Sequence, residues 1–111
     1  MMEDGIVSFE DFKKLKLRVA QIKEVSDHPN ADKLYVVKID TGASIKTIVA
    51  GIKKSYSKEE LVGKKIVIIE NLQPAVIRGV ESQAMLLAAS SEDKQSVISP
   101  EKDMPVGSSI S

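Results

Sequence analysis

The chain has 111 residues, with 16 basic and 16 acidic side chains, one histidine, no cysteine and no tryptophan. A chain of this length buries roughly two-thirds of its unfolded surface, enough for one self-supporting core, so a single domain over residues 1–111 is expected. Without cysteine there is no disulfide framework, thiolate nucleophile or Cys-based zinc site, and the neutral balance excludes a uniformly basic coat for nucleic acid. Neutrality is nevertheless a cancellation. Residues 1–65 carry 13 Lys/Arg against 10 Asp/Glu, net +3, and residues 66–111 carry 3 against 6, net −3. The N-terminus offers no apolar signal region and no uncharged apolar run reaches membrane-spanning length, so a soluble, cytoplasmic chain without a membrane contact is expected.

In chain order, Ser8 followed by Asp11 opens a short helix over Phe9–Lys14, the hydroxyl capping the amide three residues on. Phe9 and Phe12 lie at i and i+3 on it, a spacing that marks a packed apolar face. Valine and isoleucine supply 24 residues in short runs broken by Gly, Pro, Asn, Asp and Ser, which predicts sheet. Strands are expected at about Lys16–Val25, Lys33–Asp40, Ile45–Ile52, Lys65–Leu72 and Met85–Ser90. The first is long, and its apolar phase shifts between Val19 and Ala20, as a bulge or strong coil requires. Ser57 with Glu60 opens a second helix that stops at Gly63. Ile66-Val67-Ile68-Ile69 is unbroken and β-branched, which predicts a central strand covered on both faces. Five strands with a helix between the third and fourth is the order of the oligonucleotide/oligosaccharide-binding (OB) fold, an all-β Greek-key barrel. Residues 8–90 would form that barrel. Val97, Ile98 and Ile110 predict that residues 91–111 are an ordered extension packed on the barrel or on a second subunit.

Three constellations could carry function. Asp27-His28-Pro29-Asn30-Ala31-Asp32-Lys33-Leu34 reads as a tight capped turn, with His28 a hydrogen-bonder within it. It also puts the amide of Asn30 and the ammonium of Lys33 at the mouth of the ligand face, suited to a base edge and a phosphate. Lys46, Lys53, Lys54 and Lys58 form a basic set on and after the third strand, where a phosphate backbone could lie. Leu72 to Met85 joins the fourth and fifth strands. There Arg78 beside Gly79 could offer a guanidinium, and Ser82, Gln83 and Met85 a hydroxyl, an amide and a soft surface to an unpaired base. The alternative is a structural loop, with Arg78 paired to Glu81 and Met85 filling the barrel. One histidine and no glycine-rich phosphate loop leave no assembled nucleophile and base, so neither catalytic residue, metal nor cofactor is expected.

The phrases His28-Pro29-Asn30-Ala31-Asp32-Lys33-Leu34-Tyr35, Ile48-Val49-Ala50-Gly51-Ile52 and Leu72 through Arg78-Gly79-Val80-Glu81-Ser82-Gln83-Ala84-Met85 to Ser90 resemble the tRNA-binding domain appended to methionyl-tRNA synthetases. Similar domains stand alone as structure-specific tRNA-binding proteins. The resemblance covers about Ser8 to Ser111 and implies a non-catalytic module that grips tRNA, as a homodimer, alone or beside a methionyl-tRNA synthetase catalytic chain. It implies Asn30, Lys33, Arg78, Ser82 and Met85 as RNA-facing. Where many members carry arginine in the third strand this chain has Lys46, which keeps the charge and loses the bidentate fork. The same barrel family also provides dimeric export-type chaperones that hold unfolded polypeptides, which is the alternative function. With only Phe9, Phe12, Tyr35 and Tyr56 as aromatics, recognition should rest on hydrogen bonds, lysines and shape rather than on stacking.

Overall fold

The structure, a computed structural model, describes residues 5–111. Helix α1 (Phe9–Lys13) is followed by β1 (Leu17–Asp27), β2 (Tyr35–Asp40), β3 (Ile45–Ala50), α2 (Lys58–Leu61) and β4 (Lys65–Ile69). Then come β5 (Ala75–Ile77), β6 (Val80–Ser82), β7 (Met85–Leu86), β8 (Ala88–Ser91), β9 (Lys94–Val97) and β10 (Ser109–Ile110). The main sheet has the order β3-β2-β1-β4-β7, antiparallel throughout, and curls into a nearly closed barrel. Alternation along β2 sends Tyr35, Val37 and Ile39 inward to meet Ala20, Ile22, Ile48, Ile66 and Ile68 in one core.

Strand β1 holds the architecture together because two partners share one of its edges. Its C-terminal half pairs with β2, its start pairs with β10, and β4 runs along the other edge from Leu17 to Gln21. The expected irregularity is present but lies between Ile22 and Glu24 rather than at Val19. The phase shift at Val19 and Ala20 has another cause: both are buried, Ala20 in the core and Val19 outside it, where its N–H and C=O bond Ser108 and Gly107. Strand β4 is likewise covered on both faces, with Ile66 and Ile68 in the core and Val67 and Ile69 buried outside it. The extension runs along the barrel, with β10 on β1 and Ile98 bonded to Val67 and Leu87.

Three expectations need correction. The 72–85 connection contains a hairpin of its own, β5–β6, and the expected fifth strand is broken at Leu87 into β7 and β8, the latter pairing β9. The break lets Leu87 N–H bond Val67 while β8 turns away from the barrel. Finally, α1 buries no residue, and Phe9 is 70% exposed, so its apolar spacing marks an unpartnered face rather than a packed one. Both helices are capped as expected, with the full reciprocal box at Ser57 and Glu60, whose carboxyl is held below the usual range by the Ser57 amide.

Candidate nucleic-acid interface

Strands β3 and β7 approach without a ladder between them, so the barrel has a seam, and the site is built around it. The unpaired edge of β3 is satisfied by side chains instead of a strand. Gln83 Oε1 accepts from Thr47 N–H at 2.8 Å, Gln83 N–H returns to the Thr47 carbonyl at 2.9 Å, and Ser82 Oγ accepts from Val49 N–H at 3.0 Å. The Ser82 hydroxyl then donates to the Ala84 carbonyl at 3.1 Å. Ser82 is therefore buried with its hydrogen bonds committed. Further along, Ser55 Oγ and the Tyr56 hydroxyl accept from Gln95 and Val97 N–H, fastening β9 to the loop after β3. Tyr35 donates its hydroxyl to the Tyr56 carbonyl at 2.8 Å. Both tyrosines thus act as struts, and the Tyr35 ring is buried.

The β1–β2 loop and the β5–β6 hairpin form one clasp. His28 is buried; its Nδ1 accepts from Asn30 N–H at 2.9 Å, which puts the ring proton on Nε2, and Nε2 donates to the Ile77 carbonyl at 2.9 Å. Asn30 Nδ2 donates to the next carbonyl, that of Arg78, at 3.1 Å. Both central residues of the hairpin, Arg78 and Gly79, have positive φ (53° and 91°), as a two-residue type I′ turn demands. Gly79 meets that demand freely, and a Cβ there would sit 3.5 Å from Asn30 Nδ2. Arg78 does not, because an L side chain in this region is strained. The alternative pairing with Glu81 is not formed, and among the described residues no carboxylate lies within ion-pair distance of the Arg78 guanidinium.

The basic set divides. Lys53 and Lys58 both bind Asp27, at 3.0 and 3.1 Å, and these hydrogen bonds hold its carboxyl below the usual range. Lys53 also stands 5.8 Å over the Tyr35 ring. Lys46 is elsewhere, paired in register with Ile39 toward the opposite end of the hairpin, and donates to the Glu70 carbonyl at 3.4 Å beside the Arg18–Glu70 ion pair. Lys54 of this set, like Lys33, makes no ion pair, and the two line one cleft of about 310 Å³. Met85, expected alternatively as barrel filling, is 43% exposed and lines the seam with Val49 and Leu87. Sequence reasoning missed Asp27, Gln83, Ser55 and Tyr56 as organisers, because their partners lie 26 to 41 residues away and leave no local signal. Among the described residues no cluster of acidic or imidazole side chains could hold a metal, and no helix is long and apolar enough to cross a membrane.

The family described as "Putative tRNA binding domain" matches residues 17–109. Methionine–tRNA ligase of Pyrococcus furiosus is 54% identical over 104 residues, covering 94% of this chain and 14% of that protein. The corresponding ligase of Nanoarchaeum equitans is 48% identical over 108 residues, again 14% of its length. The chain therefore spans about a seventh of these relatives. Among solved structures, a MetRS-related protein from Pyrococcus horikoshii superposes with a TM-score of 0.88 at 35% identity, covering 98% of this chain and 99% of that one. The chaperone CsaA of Bacillus anthracis superposes with a TM-score of 0.87 at 29% identity, over 96% of this chain and all of that one.

Proposed function

This chain belongs to the tRNA-binding domain family, and from that premise we propose that it holds tRNA across the barrel seam through Arg78, Lys33 and Lys54. The observation that carries the reading is that these three cations are unpaired while Lys53, Lys58 and Arg18 are each tied to a carboxylate. Cations without a carboxylate partner can neutralise phosphate without first breaking an ion pair. Met85 offers its soft surface beside them, Asn30 and Ser82 serve by holding the loops, and Lys46 and Lys53 contribute secondary charge from the barrel's flanks. Three phosphate contacts give a slope of roughly two to three in log Kd against log salt.

Titrating folded tRNA against single-stranded and duplex RNA controls at two salt concentrations tests this. Tighter, salt-dependent binding of tRNA is expected, and equal affinity for all three RNAs would overturn the reading.

The module works as a cytoplasmic homodimer, serving a methionyl-tRNA synthetase. Support for the dimer comes from Ile6, Val7, Phe9, Phe12 and Leu15, which put a strip of apolar side chains in water. A second copy doubles contacts that are modest singly. A strictly monomeric species in sedimentation at micromolar concentration would remove this part. The alternative is the polypeptide-holding role that the CsaA neighbour's name carries. It would show as suppressed aggregation of an unfolded client, competed away by peptide and not by tRNA.

A further inference from the structure

The seam continues past the barrel as a groove that the family resemblance does not assign. Three clefts, of about 390, 310 and 480 Å³, run from Met85 and Leu87, past Lys33 and Lys54, to the inner side of the β8–β9 hairpin. Gln95 lines all three. Its backbone N–H is fixed to Ser55 Oγ at 3.1 Å, while its half-buried side-chain amide bonds no protein group among the described residues. A half-buried amide at the junction of a groove, with its backbone fixed and both its donor and acceptor free, is available to a ligand's polar edge. Asp93 lines the two clefts on the hairpin side and Glu92 the one holding Lys33 and Lys54. Beside lysines that can take phosphate, these carboxylates can accept hydrogen bonds from the amino groups of bases.

We propose that this groove is a subsite for one unpaired nucleotide bearing an amino base, with its phosphates on Lys33 and Lys54 and its base edge read by Gln95 and Asp93. The site rests on the RNA-binding reading above and adds to it a base preference. Cytosine presents N3 and O2 acceptors to the amide of Gln95 and an N4 amino donor to Asp93. Uracil presents O4 to that carboxylate instead, and two acceptors repel. Neither Gln95 nor Asp93 holds the fold through its side chain, so both can be changed.

The test uses fluorescence anisotropy of the pentanucleotides UUCUU and UUUUU, which differ only in the central base. The wild-type chain is expected to prefer the cytosine oligonucleotide by about fivefold or more, the low end for one base-edge pair. Gln95→Leu and Asp93→Asn should each bring the two affinities to parity. Lys54→Met should weaken both oligonucleotides alike and lower the salt slope by about one. Equal affinities in the wild type, or a preference that survives both Gln95→Leu and Asp93→Asn, would overturn the subsite. Failure of the wild type to distinguish folded tRNA from duplex RNA would instead strike the functional reading on which it rests.

Discussion

Asn30 and Arg78 are 48 residues apart in sequence, and the side-chain amide of the first donates to the backbone carbonyl of the second at 3.1 Å. The bond falls on the strained residue of the β5–β6 turn rather than on a neighbour. Together with the His28–Ile77 bond it grips two successive carbonyls, so the hairpin tip cannot relax by rotating its peptide. The β1–β2 loop therefore holds the arginine in a conformation that its own backbone disfavours. Asparagine and glycine would occupy that turn position at lower cost.

Arg78→Asn should separate stability from binding. Asparagine tolerates the left-handed region and fits the first position of a type I′ turn, so unfolding free energy should rise by up to about 1 kcal/mol. Loss of a charged hydrogen-bonding group should weaken tRNA binding by about tenfold. Thermal unfolding and a mobility-shift titration of the same variant check the pair. A lower melting temperature would show that the arginine serves the fold.

Ser82→Ala should do the opposite. The buried hydroxyl is the partner of Val49 N–H on an edge that has no neighbouring strand, and alanine leaves that part-buried donor unpaired. An unsatisfied buried group costs about 1–3 kcal/mol. Denaturant unfolding should report a loss of that size, while tRNA affinity of the folded protein stays within about twofold of wild type. A large affinity loss at unchanged stability would put Ser82 on the RNA.

These two residues show what the sequence could reveal. The Ile66–Ile69 run and the Ser57–Glu60 cap announce their roles, because burial on both faces and capping leave local patterns. The β5–β6 hairpin does not, since Arg78-Gly79 lacks the Asn-Gly signature and its strands are three residues each. Phe9 and Phe12 have the same spacing whether a helix face is packed or waiting for a partner. The split among the lysines was invisible for a different reason: it depends on where Asp27 sits in space, and Ser82 reads as ligand or strut until its distance to Val49 is known.

Asp27→Asn should release Lys53 and Lys58 together. Both lysines bind the Asp27 carboxylate, and these hydrogen bonds lower its pKa from 3.8. A lowered folded-state pKa contributes stability that is fully present above the unfolded value and is lost as pH falls through the folded one. The melting-temperature gap between wild type and variant should thus be constant at neutral pH and close below about pH 3.8. It should be small, because the pair is exposed. At neutral pH the two freed ammonium groups should tighten tRNA binding and steepen its salt slope by up to about two. Weaker binding in the variant would mean that the ion pairs position the lysines rather than withhold them.

Gly42→Ala tests whether the C-terminal extension is part of the fold. Gly42 has φ +91°, and an added Cβ would lie 3.0 Å from the Gly107 Cα and 3.2 Å from the Val106 carbonyl, both backbone atoms. That contact adjoins the place where Gly107 N–H and Ser108 C=O bond Val19 on β1. Gly63 supplies the control: its φ is +89°, but a Cβ there meets nothing within 4 Å. Gly63→Ala should lose only the left-handed backbone cost of about 1–2 kcal/mol. Gly42→Ala should lose that and more, because the extension must shift to make room, and the excess measures how tightly it is docked. Hydrogen exchange should locate the damage, with the Val19 and Gly107 amides losing protection and the β2–β3 ladder keeping its own. Equal losses for the two variants would mean that the extension yields freely and that residues 17–90 carry the stability alone.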